Sequence, residues 1–440
     1  MDARALRRLK PELDSFLDRY VPLFGRAENY EHARRFVQGL LAGGERRNVE
    51  NIAEQVSGGV VRTLQKFVAQ GVWEDRDVLS ELRRDIASRW GDEEAIINVD
   101  ETGFPKKGTK SVGVKRQYAG ILGRTDNCQV GVFLNYVTHQ GHALIDRRLF
   151  LPQEWAEDGA RRREAGVPEA VVFRTKPELA LEMIQEAVSA GVPFRWVGGD
   201  CLYGDSPKFV QGVRALGKWY VLDTSMDAYV WTTAPQLRPP TTHSERGGRP
   251  RTRLVATNKP QPISVVIATI PEKVWKRITV AEGSQGPRIY EYTELTVWFS
   301  EEGSPTVEPE RLLVRRSVGQ EAEIKVQRSN APHHVPLSRL AQVGGCRWTV
   351  EEDFQCGKGE CGLDEYETRG WRGWHHHTAL SMLALWFLAQ QKERLGEKRA
   401  SNDRTRSPRP LAASARPAQV GRARNPRLVR MAAGTQPHRR

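Results

Sequence analysis

No hydrophobic run in this chain is long enough to cross a bilayer. The longest, "TALSMLALWFLA" at 378–389, has 12 residues, where a spanning helix needs about 20. The opening "MDARALRRLK" lacks the apolar stretch of a signal peptide, so neither export nor membrane insertion is expected. Cysteine is also scarce. Five residues, an odd number, fit no disulfide framework and suit a reducing compartment. Cys356 and Cys361 stand near His375, His376 and His377, but without a Cys-x-x-Cys pair this grouping does not read as a zinc site. The three histidines read instead as part of a buried helix.

Charge is abundant and unevenly placed. The net is +13, yet residues 391–440 carry 14 Lys/Arg against 3 Asp/Glu, a net of +11, leaving +2 on the first 390. That end of the chain is rich in Arg, Pro, Ala and Ser and shows no apolar period. Residues 393–440 therefore read as a disordered basic tail, which suits a polyanion such as nucleic acid or is simply solvated. The rest has ample length for a core and for two to three domains.

Periodicity divides that part further. Residues 1–90 carry apolar residues at three- and four-residue spacing, as in "HARRFVQGLLAG". They read as a helical domain that either lies on DNA, through residues such as Arg34, Arg35 and Lys66, or is a structural cap. From 91 to 224 the pattern is three or four short strands, a helix and another strand. The helix is marked by a capping box, Thr175 with Glu178 around Pro177. Residues 225–330 read as a β-rich insertion, with 233–262 loop-like, and 331–392 as returning helices.

Acidic residues fall at telling places. "IINVD" is an apolar run that ends in Asp100, followed by Gly103 and Pro105, which read as a loop; "WVGGD" ends in Asp200. A carboxylate leaving a buried strand is held rigidly while still facing solvent. In "RWTVEEDFQCGKGE", Arg347, Glu351, Phe354 and Lys358 share one helical stripe at i, i+4, i+7 and i+11. Gly357 and Gly359 weaken the helix around Lys358. Glu352 and Asp353 compete with Glu351 but miss the stripe, and Asp205 reads as a helix cap. Three such acids suit phosphodiester cleavage with two Mg²⁺ ions, Asp100 bridging them and Asp200 and Glu351 each holding one. Mn²⁺ could substitute.

Together, "DETGFPKKG", "GDCLYGD" and "RWTVEEDF…GKGECGLDEYETRGWRGWHHHTALSMLAL" resemble an insertion-sequence transposase of the DDE class, over roughly residues 15–392. The resemblance implies an α/β fold: an RNase H-like catalytic core with a β-rich insertion between the second Asp and the Glu. It implies Asp100, Asp200 and Glu351 as catalytic metal ligands. It also implies cleavage at element ends and strand transfer into target DNA. The partners implied are terminal inverted repeats, target DNA and further copies of the chain in a homodimer or higher oligomer, in the bacterial cytoplasm at the nucleoid. Arg347 and Lys358 match cations of the family's Tyr-x-x-Arg signature and are expected to contact phosphates. Gly344 stands at the Tyr position, which weighs against a hairpin-forming route. Lys106, Lys107 and the following basic residues read as a DNA-facing edge or a solvated hairpin. Trp371, Arg372 and Trp374 read as a base-stacking group or as core. A catalytically silent DNA-binding descendant and a two-carboxylate glycoside hydrolase are the rivals. Intact acids oppose the first, and basic charge without an aromatic sugar site opposes the second.

Overall fold

In the computed structural model, which describes residues 3–44, 46–119, 123–239, 255–283, 286–319 and 323–405, five helices come first. They are α1 (Ala3–Asp18), α2 (Ala27–Ala42), α3 (Val49–Gln55), α4 (Val61–Gln70) and α5 (Asp75–Trp90). Four strands follow, β1 (Ile96–Pro105), β2 (Lys115–Ala119), β3 (Arg124–Val137) and β4 (His142–Phe150). Strand β1 pairs antiparallel with β3, and β3 pairs antiparallel with both β2 and β4. The chain then passes through α6 (Gln153–Glu157), α7 (Gly159–Ala165) and α8 (Lys176–Ser189). Helix α8 begins at the expected capping box, with Thr175 and Glu178 each closing on the other's backbone.

The helix returns the chain to the far side of β1. β5 (Trp196–Gly199) pairs parallel with β1, and after α9 (Cys201–Gly204) and α10 (Pro207–Ala215), β6 (Trp219–Asp223) pairs parallel with β5. The order β4-β3-β1-β5-β6, with three antiparallel strands followed by two parallel to the first, is the RNase H-like arrangement. It permits helices on both faces of the sheet.

The sheet does not stop at β6. The next segments are β7 (Tyr229–Trp231), β8 (Leu237–Arg238), β9 (Val255–Ala256), β10 (Gln261–Pro262), α11 (Ile263–Ile267), β11 (Lys276–Gly283), β12 (Gly286–Glu301), β13 (Ser304–Pro305), β14 (Glu310–Ser317) and β15 (Ile324–Ser329). Strands β11, β12, β14 and β15 form an antiparallel meander, and β15 pairs with β6. The inserted strands thus extend the central sheet. A buried ion cluster seals the junction. Arg328 donates to Glu310 at 2.6 Å and to Glu301 at 2.9 Å, and Arg214 of α10 reaches Glu310 at 2.8 Å.

Three helices finish the described chain: α12 (Leu337–Gly345), α13 (Trp348–Cys361) and α14 (Trp371–Thr405). Contacts divide the chain into Met1–Arg394 and Leu395–Arg440, the latter contributing the end of α14. Helix α14 therefore continues past residue 392, where the sequence reading begins the tail; residues 406–440 lie outside the described residues. Among the described residues, no helix is long and apolar enough to cross a membrane.

One hydrophobic cluster joins the first helices (Leu17, Phe36, Leu82) to the sheet (Val99, Leu134) and to α14 (Leu383, Trp386). Arg147 of β4 is buried at its centre, donating to Thr378 Oγ1 at 2.9 Å, Asp75 Oδ2 at 2.7 Å and the His375 carbonyl at 2.7 Å. The three histidines belong to this interior. His376 stacks on Trp73 with ring centroids 3.7 Å apart, and His377 meets the Gly362 carbonyl at 2.8 Å. Burial holds His375 down to about 3 and both His376 and His377 to about 4.

An unfolded histidine titrates near 6.5. Below that pH the unfolded chain takes up protons that these three rings refuse in the fold. Their share of the stability is therefore complete above pH ~6.5 and is lost as pH falls toward about 4. His142 is shifted the other way, raised against its burial by Asp353 and Glu352, and opposes this loss. Asp100, pushed up to about 7, takes up its proton in the fold over the same range and also opposes the loss, but three rings outweigh it, and the melting temperature should fall between pH 7 and pH 5. A flat or rising profile would mean that the three rings do not outweigh His142 and Asp100.

Candidate active site

Strand pairing builds the site. Val99 is level with Gly199, and Gly199 with Leu222. The next residue of each strand is acidic: Asp100, Asp200 and Asp223. The three carboxylates therefore form a row at the carboxyl edge of β1, β5 and β6, where open α/β sheets present ligand-binding groups. The sequence reading ends the first strand at Asp100, whereas β1 runs on to Pro105, so Asp100 lies mid-strand. Gly103 and Pro105 continue in extended pairing with Val130 and Cys128 of β3. Asp100 is at an edge because the parallel neighbour β5 stops there. Asp200 also caps α9, accepting from the Leu202 N–H at 2.9 Å.

Alternation along β1 separates Asp100 from Glu101. Glu101 faces α8, where Lys176 Nζ lies at 2.7 Å, and it accepts from the Tyr203 hydroxyl at 2.8 Å. Asp100 faces the start of α13, where Arg347 donates to its Oδ2 at 2.9 Å. The same guanidinium donates to Glu351 Oε1 at 3.1 Å, and its Nε lies 3.7 Å from Asp223 Oδ2. One cation thus stands among three acids from β1, β6 and α13.

The three adjacent acids of α13 have distinct surroundings. The Asp353 side chain is buried, accepting from Asn135 Nδ2 at 2.6 Å and meeting His142 Nδ1 at 2.9 Å. Glu352 faces the other nitrogen of His142 at 3.2 Å. Glu351 is 61% exposed and lies on the Arg347 side. A buried polar network fixes the helix: Asn98 Nδ2 donates to Asn135 Oδ1 at 3.2 Å and to the Cys346 carbonyl at 3.3 Å, while Thr349 Oγ1 donates to Asn135 Oδ1 at 2.9 Å. Asn98 is two residues before Asp100, so this network ties one acid-bearing strand to the helix bearing Glu351.

Other expected residues are placed differently. Helix α13 continues through Gly357 and Gly359 to Cys361, because its buried face, including Phe354 against Phe133, holds it where glycine weakens it. Lys358 turns to β1, donating to Thr102 Oγ1 at 2.8 Å and the Gly103 carbonyl at 3.2 Å. Lys106 is directed inward: its amine donates to the Tyr366 carbonyl at 3.0 Å and sits 3.4 Å from that ring's centroid. Burial lowers it to about 8. Lys107 and Arg372 are exposed. Trp374 is core. Ser206, not Asp205, stands at the start of α10; the Asp205 side chain accepts from Thr224 Oγ1 at 2.5 Å and from the Ser225 N–H.

Asp223 escaped the sequence reading. Its signal was the same as that of the other two, an apolar strand "WYVLD" ending in Asp, repeated for a third time.

Burial pushes Asp100 up to about 7 against the opposing pull of Arg347, with Asp200 and Glu101 adding to the rise. Asp200 is raised by burial and by Glu101. This excess of acid favours a cation, and the oxygen donors suit Mg²⁺. As the side chains stand, no group of three His, Cys, Asp or Glu among the described residues is close enough to hold a metal. The donor chemistry fits a divalent ion, and the guanidinium of Arg347 occupies the space between Asp100 and Glu351.

Comparison with known proteins gives a consistent picture. The sequence model for a family described as DDE superfamily endonuclease matches residues 19–287, a span with all three strand-edge aspartates but not α13. A curated relative from Microchaete diplosiphon, "Probable transposase for insertion sequence element IS701", is 30% identical over 220 residues, 50% of this chain. The match spans about half the length of that relative, 55%. A solved structure, "Cryo-EM structure of piggyBac transposase synaptic complex with hairpin DNA (SNHP)", aligns over 87% of this chain and 74% of that chain at 9% identity, with a TM-score of 0.39. So loose a likeness carries no further argument.

The two neighbouring acids of α13 should respond differently to substitution. Asp353→Ala strands Asn135 and His142 in a buried site and should cost about 3 kcal/mol. Glu351→Gln, at an exposed position, should stay within about 0.5 kcal/mol. Denaturant melts measure both. A Glu351→Gln protein as damaged as Asp353→Ala would make Glu351 a structural residue.

Proposed function

The chain belongs to the DDE superfamily of endonucleases, and from that membership we propose that it is an insertion-sequence transposase. It cuts DNA at the ends of its element to free 3′-hydroxyls and joins them to target DNA by in-line transesterification. One observation carries this reading: Asp100 and Asp200 lie level on adjacent parallel strands, with Arg347 linking Asp100 to Glu351 of a packed helix.

Asp100, Asp200 and Glu351 are the residues that would hold divalent metal, Mg²⁺ or Mn²⁺. A bound metal pair supplies an activated nucleophile and neutralises charge at the phosphoryl group. The protein's part is positioning. Strands β1 and β5 fix two carboxylates through main-chain pairing. The Asn98–Asn135–Asp353 network holds the start of α13 against the sheet, so that Glu351 approaches from the side. Arg347, held by carboxylates at its terminal nitrogens, becomes available to a phosphate oxygen once those carboxylates are otherwise engaged. A guanidinium there stabilises charge that builds up in the transition state. Lys358, bonded to β1, supports the strand carrying Asp100. Lys107 and Arg372, both exposed, are the expected side chains that remain free to meet DNA phosphates. The element's terminal repeats, target DNA and further copies of the chain are the partners this chemistry requires.

Asp100→Asn, Asp200→Asn and Glu351→Gln should each lower Mg²⁺-dependent strand cleavage by at least about 100-fold, the scale of losing one transition-state contact, while binding to element-end DNA persists. Single-turnover cutting of a pre-bound end measures this. A variant that cuts at the wild-type rate removes its residue from the site. Wild-type protein that binds ends but never cuts them, with Mg²⁺ or Mn²⁺, would instead be a silent DNA-binding descendant.

A further inference from the structure

Asp223 ends β6 at the level of Asp100 and Asp200, and its side chain is held from two sides. Gln327 lies directly across from it on β15. The Gln327 amide nitrogen donates to Asp223 Oδ1 at 2.8 Å, while Asp223 Oδ2 faces Arg347 Nε at 3.7 Å. Gln327 is buried, and its own carbonyl oxygen has no partner among the described residues. A buried amide that leaves its acceptor unsatisfied carries a cost, which its grip on Asp223 offsets.

The backbone leaves room for this arrangement at two glycines. A Cβ on Gly344 would lie 2.5 Å from the Gln327 carbonyl oxygen and 2.7 Å from its nitrogen. A Cβ on Gly204 would lie 1.9 Å from the Asp223 carbonyl oxygen. A larger side chain at 344 would drive Gln327 off Asp223. The space beside Gly344 that a larger side chain would need is therefore taken by the Gln327 amide that holds Asp223.

Arg347 offers three faces, and each meets a different acid: Nη1 meets Asp100, Nη2 meets Glu351 and Nε is nearest Asp223. A planar fork of this kind is oriented when its edges are separately held. We propose that Asp223, anchored by Gln327, is a positioning residue for Arg347. It restrains the Nε edge so that the two terminal nitrogens face the site between Asp100 and Glu351. This rests on the transposase reading for its catalytic consequence, but the pairing itself does not.

A double-mutant cycle tests it. Asp223→Asn keeps the shape of the side chain and removes its charge, and Arg347→Gln removes the cation. Thermal melts without added metal should show that the double variant loses less than the sum of the two single losses. In single-turnover cleavage of pre-bound element ends, Asp223→Asn should slow cutting about tenfold with end binding unchanged. In the Arg347→Gln background the same change should alter cutting less than twofold. Gln327→Leu, which removes the anchor without touching either charge, should reproduce part of the defect. Strictly additive melts would overturn the proposal. So would an equal cleavage loss in both backgrounds, which would mean that Asp223 acts at the site by itself. If the wild-type protein cuts no DNA, the transposase reading fails, and the metal-free melts still decide whether Asp223 holds Arg347.

Discussion

Parallel strands in register carry residues of the same level to one edge, and here that level is aspartate three times: Asp100 midway along β1, Asp200 just past β5 and Asp223 at the end of β6. Burial, with repulsion from Asp200 and Glu101 adding to it, pushes Asp100 up to about 7 although Arg347 pulls the other way. An arrangement of this kind persists when main-chain pairing over-determines it and a cation offsets it. Most of what surrounds the edge serves one of those two needs. Pairing with β3 holds Asp100 on one side, pairing with β5 holds the strand up to Val99 on the other, and α12 with the start of α13 delivers the guanidinium.

The position of α13 is set by polar chemistry as well as by its apolar face. Asn98, Asn135, Thr349 and Asp353 are all buried and bonded to one another. Such a network tolerates little displacement, since moving one member strands the others in a low-dielectric interior. Glu351 is two residues from Asp353 and stays exposed because the helix turns the two apart. At about 100° per residue, two residues place Glu351 about 200° round the helix from Asp353, on the opposite face.

The inserted strands contribute to the same edge. Because β15 pairs with β6, Gln327 comes from the far end of the insertion to lie beside Asp223. The matched family region ends at residue 287, before β14, β15 and α13. The strand-edge aspartates therefore belong to the shared portion, while Gln327, Arg347 and Glu351 come from beyond it. The proposed link between Asp223 and Arg347 joins these two parts of the chain.

Local chemistry alone determined a good deal. The capping box of α8, the ends of apolar runs at Asp100 and Asp200, and the stripe shared by Arg347 and Glu351 follow from spacing and residue type, which act over a few residues. Glycine and proline misled the reading of β1. Extended pairing with β3 carries the strand through Gly103 and Pro105, and a partner strand more than twenty residues away cannot be read from the turn residues themselves. Lys106 was read from its charge, but an aromatic ring and a carbonyl from Tyr366 draw it inward. Asp223 had the same local signature as the other two acids. Its importance depends on being level with them, and register between strands separated by a hundred residues is set by hydrogen bonding across the folded sheet. Tertiary structure alone decides that, because the ladder aligns residues that no local interaction brings together.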